Sequence, residues 1–123
     1  MGGCILVVED QADNRQILRD LLGNAGYELI EVESGEDALA AVVTRRPDLI
    51  LMDIQLPVMD GYEATKAIRS QEASTRSRRL PIVALTADAF DDDAVKARKA
   101  GMDGHLAKPY TRDGLREVLM QWL

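Results

Sequence analysis

Cysteine is nearly absent. Cys4 is the one thiol in the chain, so no internal disulfide can form, which fits a reducing compartment. Its apolar neighbours Ile5 to Val8 predict a buried strand residue. No apolar run reaches the ~20 residues that a membrane-spanning helix needs. The stretch from Cys4 to Val8 is also too short for a secretory signal. The opening Met1-Gly2-Gly3-Cys4-Ile5-Leu6 has Leu6 where a myristoylation signal needs Ser or Thr. Basic charge is in deficit, with 15 Lys and Arg against 21 Asp and Glu, a formal net charge of -6. Such a surface repels phosphate backbones, which argues against direct nucleic-acid binding. The one basic cluster, Arg76, Arg78 and Arg79, lies in a polar stretch and reads as a solvated loop. What is left is a cytoplasmic globular domain with no direct membrane binding.

What is present is ordinary globular material, 46% hydrophobic and 29% charged over 123 residues. That length suits one domain, 1–123, with residues 1–3 read as additions to the natural chain. Short apolar runs alternate with helical patterns. Cys4 to Val8 reads as a strand, and Asp13 to Ala25 as a helix with Ile17, Leu18, Leu21 and Leu22 on one stripe, stopped by Gly26. Glu28 to Val32 alternates polar and apolar, as an edge strand does. Ser34 caps a helix carrying Ala38, Leu39, Val42 and Val43. Leu49 to Met52 is apolar throughout and predicts a central strand. Asp60-Gly61 opens a helix through Arg69, and the polar residues Gln71 to Leu80 predict the longest loop. Ile82 to Leu85 is the fourth strand, Asp91 to Ala100 a helix, His105 to Ala107 the fifth strand, and Thr111 caps a last helix reaching Trp122.

Strands alternating with helices imply a parallel sheet covered on both faces, an α/β fold with right-handed crossovers. Ligands of such sheets bind outside the carboxyl ends of the strands. Those ends are Glu9-Asp10, Asp53, Thr86 and Lys108-Pro109, while the second strand ends at Glu33, a surface residue. Any one of these has an ordinary structural explanation; four of five strands delivering a hydroxyl or charged group to one edge is the signal. Glu9, Asp10 and Asp53 crowd like charges, which is costly without a cation. Carboxylate oxygens select a hard cation, and Mg²⁺ typically takes one or two of them plus waters and a phosphate oxygen. A carboxylate can also act as the nucleophile in phosphoryl transfer. Lys108 offers a compact positive charge, and Thr86 a hydroxyl, for the phosphoryl oxygens.

Four motifs in order then carry a family resemblance: Val7-Val8-Glu9-Asp10; Leu51-Met52-Asp53-Ile54-Gln55-Leu56-Pro57-Val58-Met59-Asp60-Gly61; Ala84-Leu85-Thr86-Ala87; and Ala107-Lys108-Pro109. In these the chain resembles a response-regulator receiver domain from about Cys4 to Leu123. The resemblance implies a five-stranded parallel sheet in a flavodoxin-like (βα)5 three-layer sandwich, strand order 2-1-3-4-5. It implies Asp53 as the phosphorylated aspartate, Asp10 as a direct Mg²⁺ ligand, Glu9 acting through metal-bound water, and the backbone carbonyl of Gln55 as a further ligand. It implies Lys108 as the phosphoryl-binding lysine and Thr86 as the switch hydroxyl. The switch aromatic of the family is replaced by His105. Phosphorylation would draw Thr86 inward and alter the face built by helix 4, strand 5 and helix 5. The expected donor is a phosphohistidine on a histidine kinase or a histidine phosphotransfer protein. The motifs look like receivers of hybrid histidine kinases and also like small single-domain regulators, with the hybrid case favoured and a monomer or weak dimer expected. Gln55 and Asp88 are the positions expected to tune acyl-phosphate lifetime.

Three other readings fit less well. A haloacid-dehalogenase-type phosphatase needs a second acid two residues after its nucleophile, where Gln55 stands. A flavodoxin needs a hydroxyl- and glycine-rich phosphate loop, where Glu9-Asp10-Gln11-Ala12-Asp13 would repel a phosphate. A degenerate receiver serving as a scaffold would lack acceptor residues that this chain keeps.

Overall fold

The computed structural model describes residues 3–86, 91–108 and 110–123, apart from the side chains of 91–94. Among these, strands and helices alternate: β1 (Cys4–Val8), α1 (Ala12–Gly23), β2 (Glu28–Val32), α2 (Gly35–Arg45), β3 (Leu49–Asp53), α3 (Gly61–Thr75), β4 (Ile82–Thr86), α4 (Asp91–Ala100), β5 (Gly104–Ala107) and α5 (Arg112–Trp122). The sheet is parallel throughout, in the order β2-β1-β3-β4-β5 expected from the resemblance.

The period-2 alternation of a strand sorts its side chains between two layers. Leu6, Val8, Ile50, Met52, Ile82 and Ala84 face one core, closed by Ala38 and Val42 of α2, Ala64 and Ile68 of α3, and Ala97 of α4. Ile5, Val7, Leu49, Leu51, Val83 and Leu85 face the other, closed by Leu18 and Leu22 of α1 and Leu115, Val118 and Leu119 of α5. Strands buried on both faces need no polar face, which is why β3 and β4 are buried along their whole length. The edge strand β2 is only half-buried. Cys4, expected to be buried, is half-buried because it is the first residue of β1, where its N–H donates to Asp48 Oδ2 at 2.8 Å.

Both expected caps are in place: Ser34 Oγ accepts from Asp37 N–H at 3.1 Å and Thr111 Oγ1 from Gly114 N–H at 3.0 Å. Asp60 caps α3 in the same manner, accepting from Glu63 N–H at 2.8 Å. Helix α1 ends at Gly23 instead of Ala25, and Gly26, at φ 85°, forms the turn into β2. Ile17 and Val43 complete the apolar stripes in the sequence but stay largely exposed, since each helix needs only a narrow stripe against the sheet.

The largest difference from the sequence reading is at α3, which runs past Arg69 to Thr75 and leaves a shorter connection. The cause is Glu72. It is buried, accepts the N–H of Leu80 at 2.7 Å, and pairs with Arg69 at 2.8 Å. Arg69 also donates to the carbonyls of Leu80 and Gly101, at 2.7 and 2.9 Å, and to Asp103 at 2.7 Å. Arg79, read as a solvated loop residue, closes the same network on Asp103 at 2.8 Å. Asp103 in turn accepts Ile82 N–H at 2.9 Å. The network therefore anchors the amino ends of β4 and β5 to α3.

Removing a buried acid that satisfies a buried N–H and an arginine is costly. Glu72→Ala is expected to lower unfolding free energy by about 2–4 kcal/mol in urea denaturation. Arg45→Ala breaks only the exposed Arg45–Glu28 pair, and its expected cost is under about 1 kcal/mol. Equal effects from the two would remove the special role given to Glu72.

Candidate functional site

The carboxyl ends of β1, β3, β4 and β5 meet at one edge because parallel strands all end on the same side. Glu9 follows β1 and is fully buried. Its backbone is fixed on both sides: its N–H donates to Val32 O at 3.1 Å, and its carbonyl accepts Arg15 Nη1 at 2.8 Å. Asp53, the last residue of β3, is 2% exposed. Its Oδ1 accepts Gln55 N–H at 3.0 Å and its Oδ2 lies 3.3 Å from Lys108 Nζ. Asp10 completes the group, and one carboxylate oxygen from each of Glu9, Asp10 and Asp53 lies within 4.8 Å of the others.

Lys108 Nζ bridges the two buried acids, 3.3 Å from Asp53 and 3.4 Å from Glu9 Oε1. One ammonium thus faces three carboxylates. Burial pushes the Glu9 carboxyl up from its ordinary value, and the hydrogen-bonded neighbour Asp53 pushes it the same way. A hard divalent cation satisfies this donor set: clustered carboxylate oxygens with more negative charge than the lysine can balance. Glu9, Asp10 and Asp53 are the side chains that can hold it.

Thr86 is buried at the end of β4, and its carbonyl accepts Lys108 N–H at 2.7 Å. The strand-end hydroxyl and lysine are therefore tied through the backbone. His105, on β5, pairs in register with Ala84 of β4, and its side chain is exposed on the outer strand of the sheet. Asp88 and Pro109 lie outside the described residues.

The loop from β3 to α3 is built around Asp53. A Cβ on Gly61 would come within 2.3 Å of the Asp53 carbonyl oxygen and 2.7 Å of Ile54 Cα, so only glycine lets α3 start this close. Met59 N–H donates to Pro57 O at 2.8 Å across Val58, whose φ is 66°. This is a tight three-residue turn of the rare, strained hand. Val58 holds that conformation while almost wholly exposed. Pro57 and Met59 thus shape the turn beside Asp53 through their backbone, and Gly61 through its missing Cβ.

Tyr110 was missed in the sequence reading. Its hydroxyl donates to Glu9 Oε1 at 3.3 Å, 101 positions away in the chain. A phenol two residues beyond Lys108, at the same sheet edge, was the available signal, hidden because its ring also belongs to the core with Leu106 and Leu115.

The family model for the response regulator receiver domain matches residues 5–120. The chain is 42% identical to sensor protein GacS of Pseudomonas syringae pv. syringae over 118 residues, covering 96% of this chain and 13% of that protein. It thus spans only a small part of that relative's length. The receiver domain of sensor histidine kinase PA1611 from Pseudomonas aeruginosa PAO1, solved with a magnesium ion in its active-site cleft, matches with TM-score 0.88 and 42% identity over 99% of this chain and 98% of that one. The receiver domain of Ssk1 from Saccharomyces cerevisiae, solved with the histidine phosphotransfer protein Ypd1, is similar with TM-score 0.93 and 32% identity over 98% and 88% of the two chains.

Three outcomes follow from the site's packing and charge. Asp53→Asn removes one of three crowded carboxylates, so it is expected to raise metal-free stability by roughly 1 kcal/mol. Mg²⁺ at tenfold its dissociation constant is expected to stabilise the wild type by about 1.4 kcal/mol and the mutant by less. Both are read from urea denaturation with and without the ion, and a destabilised metal-free Asp53→Asn would contradict the charge argument. Gly61→Ala is expected to cost about 2 kcal/mol or more in the same measurement, because the clash is with backbone.

Proposed function

The chain belongs to the response regulator receiver domain family, and on that premise we propose that Asp53 is the phosphoacceptor of a two-component phosphorelay switch. The observation that carries this reading is the setting of Asp53: one oxygen held by Gln55 N–H, the other by Lys108, inside a three-carboxylate cluster. An Asp53 carboxylate oxygen attacks the phosphorus of a phosphohistidine. An O–P bond forms and the P–N bond breaks, its electron pair leaving with the imidazole, which takes a proton from solvent. The product is an acyl phosphate on Asp53.

Phosphoryl transfer depends on positioning and charge neutralisation more than on covalent help. Asp10 and Asp53 would hold Mg²⁺ directly, with the backbone carbonyl of Gln55, and Glu9 would act through a bound water. The ion, when bound, supplies charge neutralisation for the phosphoryl oxygens. Lys108 shifts its ammonium from the carboxylates to a phosphoryl oxygen, and the Thr86 hydroxyl donates to another. Gln55, at the mouth of the site, tunes access of water to the acyl phosphate, with Asp88 proposed alongside it.

Thr86 moving inward alters the face formed by α4, β5 and α5, where His105 takes the place of the switch aromatic. A local charge thus biases a two-state element that a partner reads. The phosphodonor is a histidine kinase or a histidine phosphotransfer protein; the likeness to a receiver solved with such a protein supports this. The likeness to receivers of sensor kinases supports a hybrid kinase as the parent chain. The domain works in the cytoplasm as a monomer or weak dimer, with no direct nucleic-acid or membrane contact; among the described residues no helix is long and apolar enough to cross a membrane.

Intact mass after incubation with a small acyl-phosphate donor tests the reading. A Mg²⁺-dependent gain of one phosphoryl group is expected in the wild type and none in Asp53→Asn. Lys108→Ala is expected to slow the gain by roughly 100-fold, the usual loss when one charge-stabilising donor is removed. An equal gain in Asp53→Asn would place the acceptor elsewhere.

A further inference from the structure

Glu9 has two oxygens and three donors. Its Oε2 accepts Gln11 N–H at 3.3 Å. Its Oε1 is shared by Lys108 Nζ at 3.4 Å and the Tyr110 hydroxyl at 3.3 Å. Both tyrosine and acid are buried, at 8% and 0% exposure. In such a setting a hydrogen bond fixes a carboxylate's orientation with little competition from water. The Tyr110 contact is longer than the ~2.7 Å of a relaxed hydroxyl–oxygen hydrogen bond, and the lysine occupies the same oxygen. The two donors differ in what else they can do. Lys108 also reaches Asp53 and is drawn to any phosphoryl group placed there. Tyr110 has its ring packed in the core between the sheet and α5 and stays where it is.

We propose that Tyr110 is a positioning residue of the cation site. Its hydroxyl holds Glu9 by Oε1, so that Oε2 is presented to the cation's water, and it remains the donor to Glu9 once Lys108 turns to the phosphoryl group. This rests on the function proposed above. Partners that orient a ligating or water-linked carboxylate typically contribute 10- to 100-fold to metal affinity. The hydrogen bond also joins the end of β1 to the segment between β5 and α5, so cation occupancy is felt where the α5 face begins.

The test is calorimetric titration of the whole chain with MgCl₂, in wild type, Tyr110→Phe, Glu9→Ala and the double variant. Phenylalanine keeps the buried ring, and urea denaturation without metal checks that each variant is folded. Tyr110→Phe is expected to weaken Mg²⁺ binding by about tenfold. In the Glu9→Ala background it is expected to have no further effect, because Tyr110 acts through Glu9. A role confined to core packing would leave the same loss in both backgrounds, and that result overturns the proposal. So does a Tyr110→Phe dissociation constant within twofold of wild type. A wild type that binds no Mg²⁺ at millimolar concentration would instead overturn the proposed cation site itself, and this inference with it.

Discussion

Three carboxylates share a space less than 5 Å across with a single ammonium, and most other features of this edge of the sheet follow from that imbalance. Two of the acids are buried, so water cannot disperse their charge. Their mutual repulsion is held in check by the fold, which supplies Gln55 N–H to Asp53, Gln11 N–H and the Tyr110 hydroxyl to Glu9, and Lys108 between them. Burial, and the hydrogen-bonded neighbour Asp53, hold the Glu9 carboxyl above its ordinary value. A donor set of clustered carboxylates left short of positive charge suits a hard divalent cation. The chemistry of the family is thus an outcome of packing acids where the solvent does not reach.

The sheet makes that packing possible. Each acid is fixed by backbone rather than by its own side chain: Asp53 is still in strand register with Leu85, and Glu9 continues the β1–β2 ladder through its bond to Val32. Neither can swing away to relieve repulsion. Gly61 lets α3 begin against the Asp53 carbonyl, closing the wall behind the acceptor. The apolar strands supply rigidity and the strand ends supply chemistry, and the two demands fall on different residues.

Much of this was legible in the sequence, and what was not has identifiable causes. The strands were readable because burial on both faces writes a continuous apolar run, as in Leu49 to Met52 and Ile82 to Leu85. The acids, Thr86 and Lys108 were readable because they stop those runs abruptly. The end of α3 was misread because Ser70, Ser74 and Thr75 are weak helix formers; Glu72, held by Arg69 and the Leu80 N–H, extends it through tertiary contacts. Arg79 looked like a solvated charge because its partner, Asp103, lies 24 positions away. Tyr110 was overlooked for a different reason: one side chain serves the core with its ring and the site with its hydroxyl, and an apolar pattern registers only the ring.

The two ends of β4 and β5 are built for different behaviour. At their amino ends, Asp103 binds Ile82 N–H, Arg69 and Arg79, and Arg69 and Arg79 both hold the Gly101 carbonyl. That end is charged, cross-linked and joined to α3. At the carboxyl ends, among the described residues, Lys108 N–H donates to Thr86 O and ties β4 to β5, while Ile54 N–H donates to Leu85 O and ties β4 to β3. Lys108 carries the ammonium that a phosphoryl group attracts, and Thr86 carries the hydroxyl, so a pull on either side chain is transmitted to both strands through the Lys108–Thr86 bond.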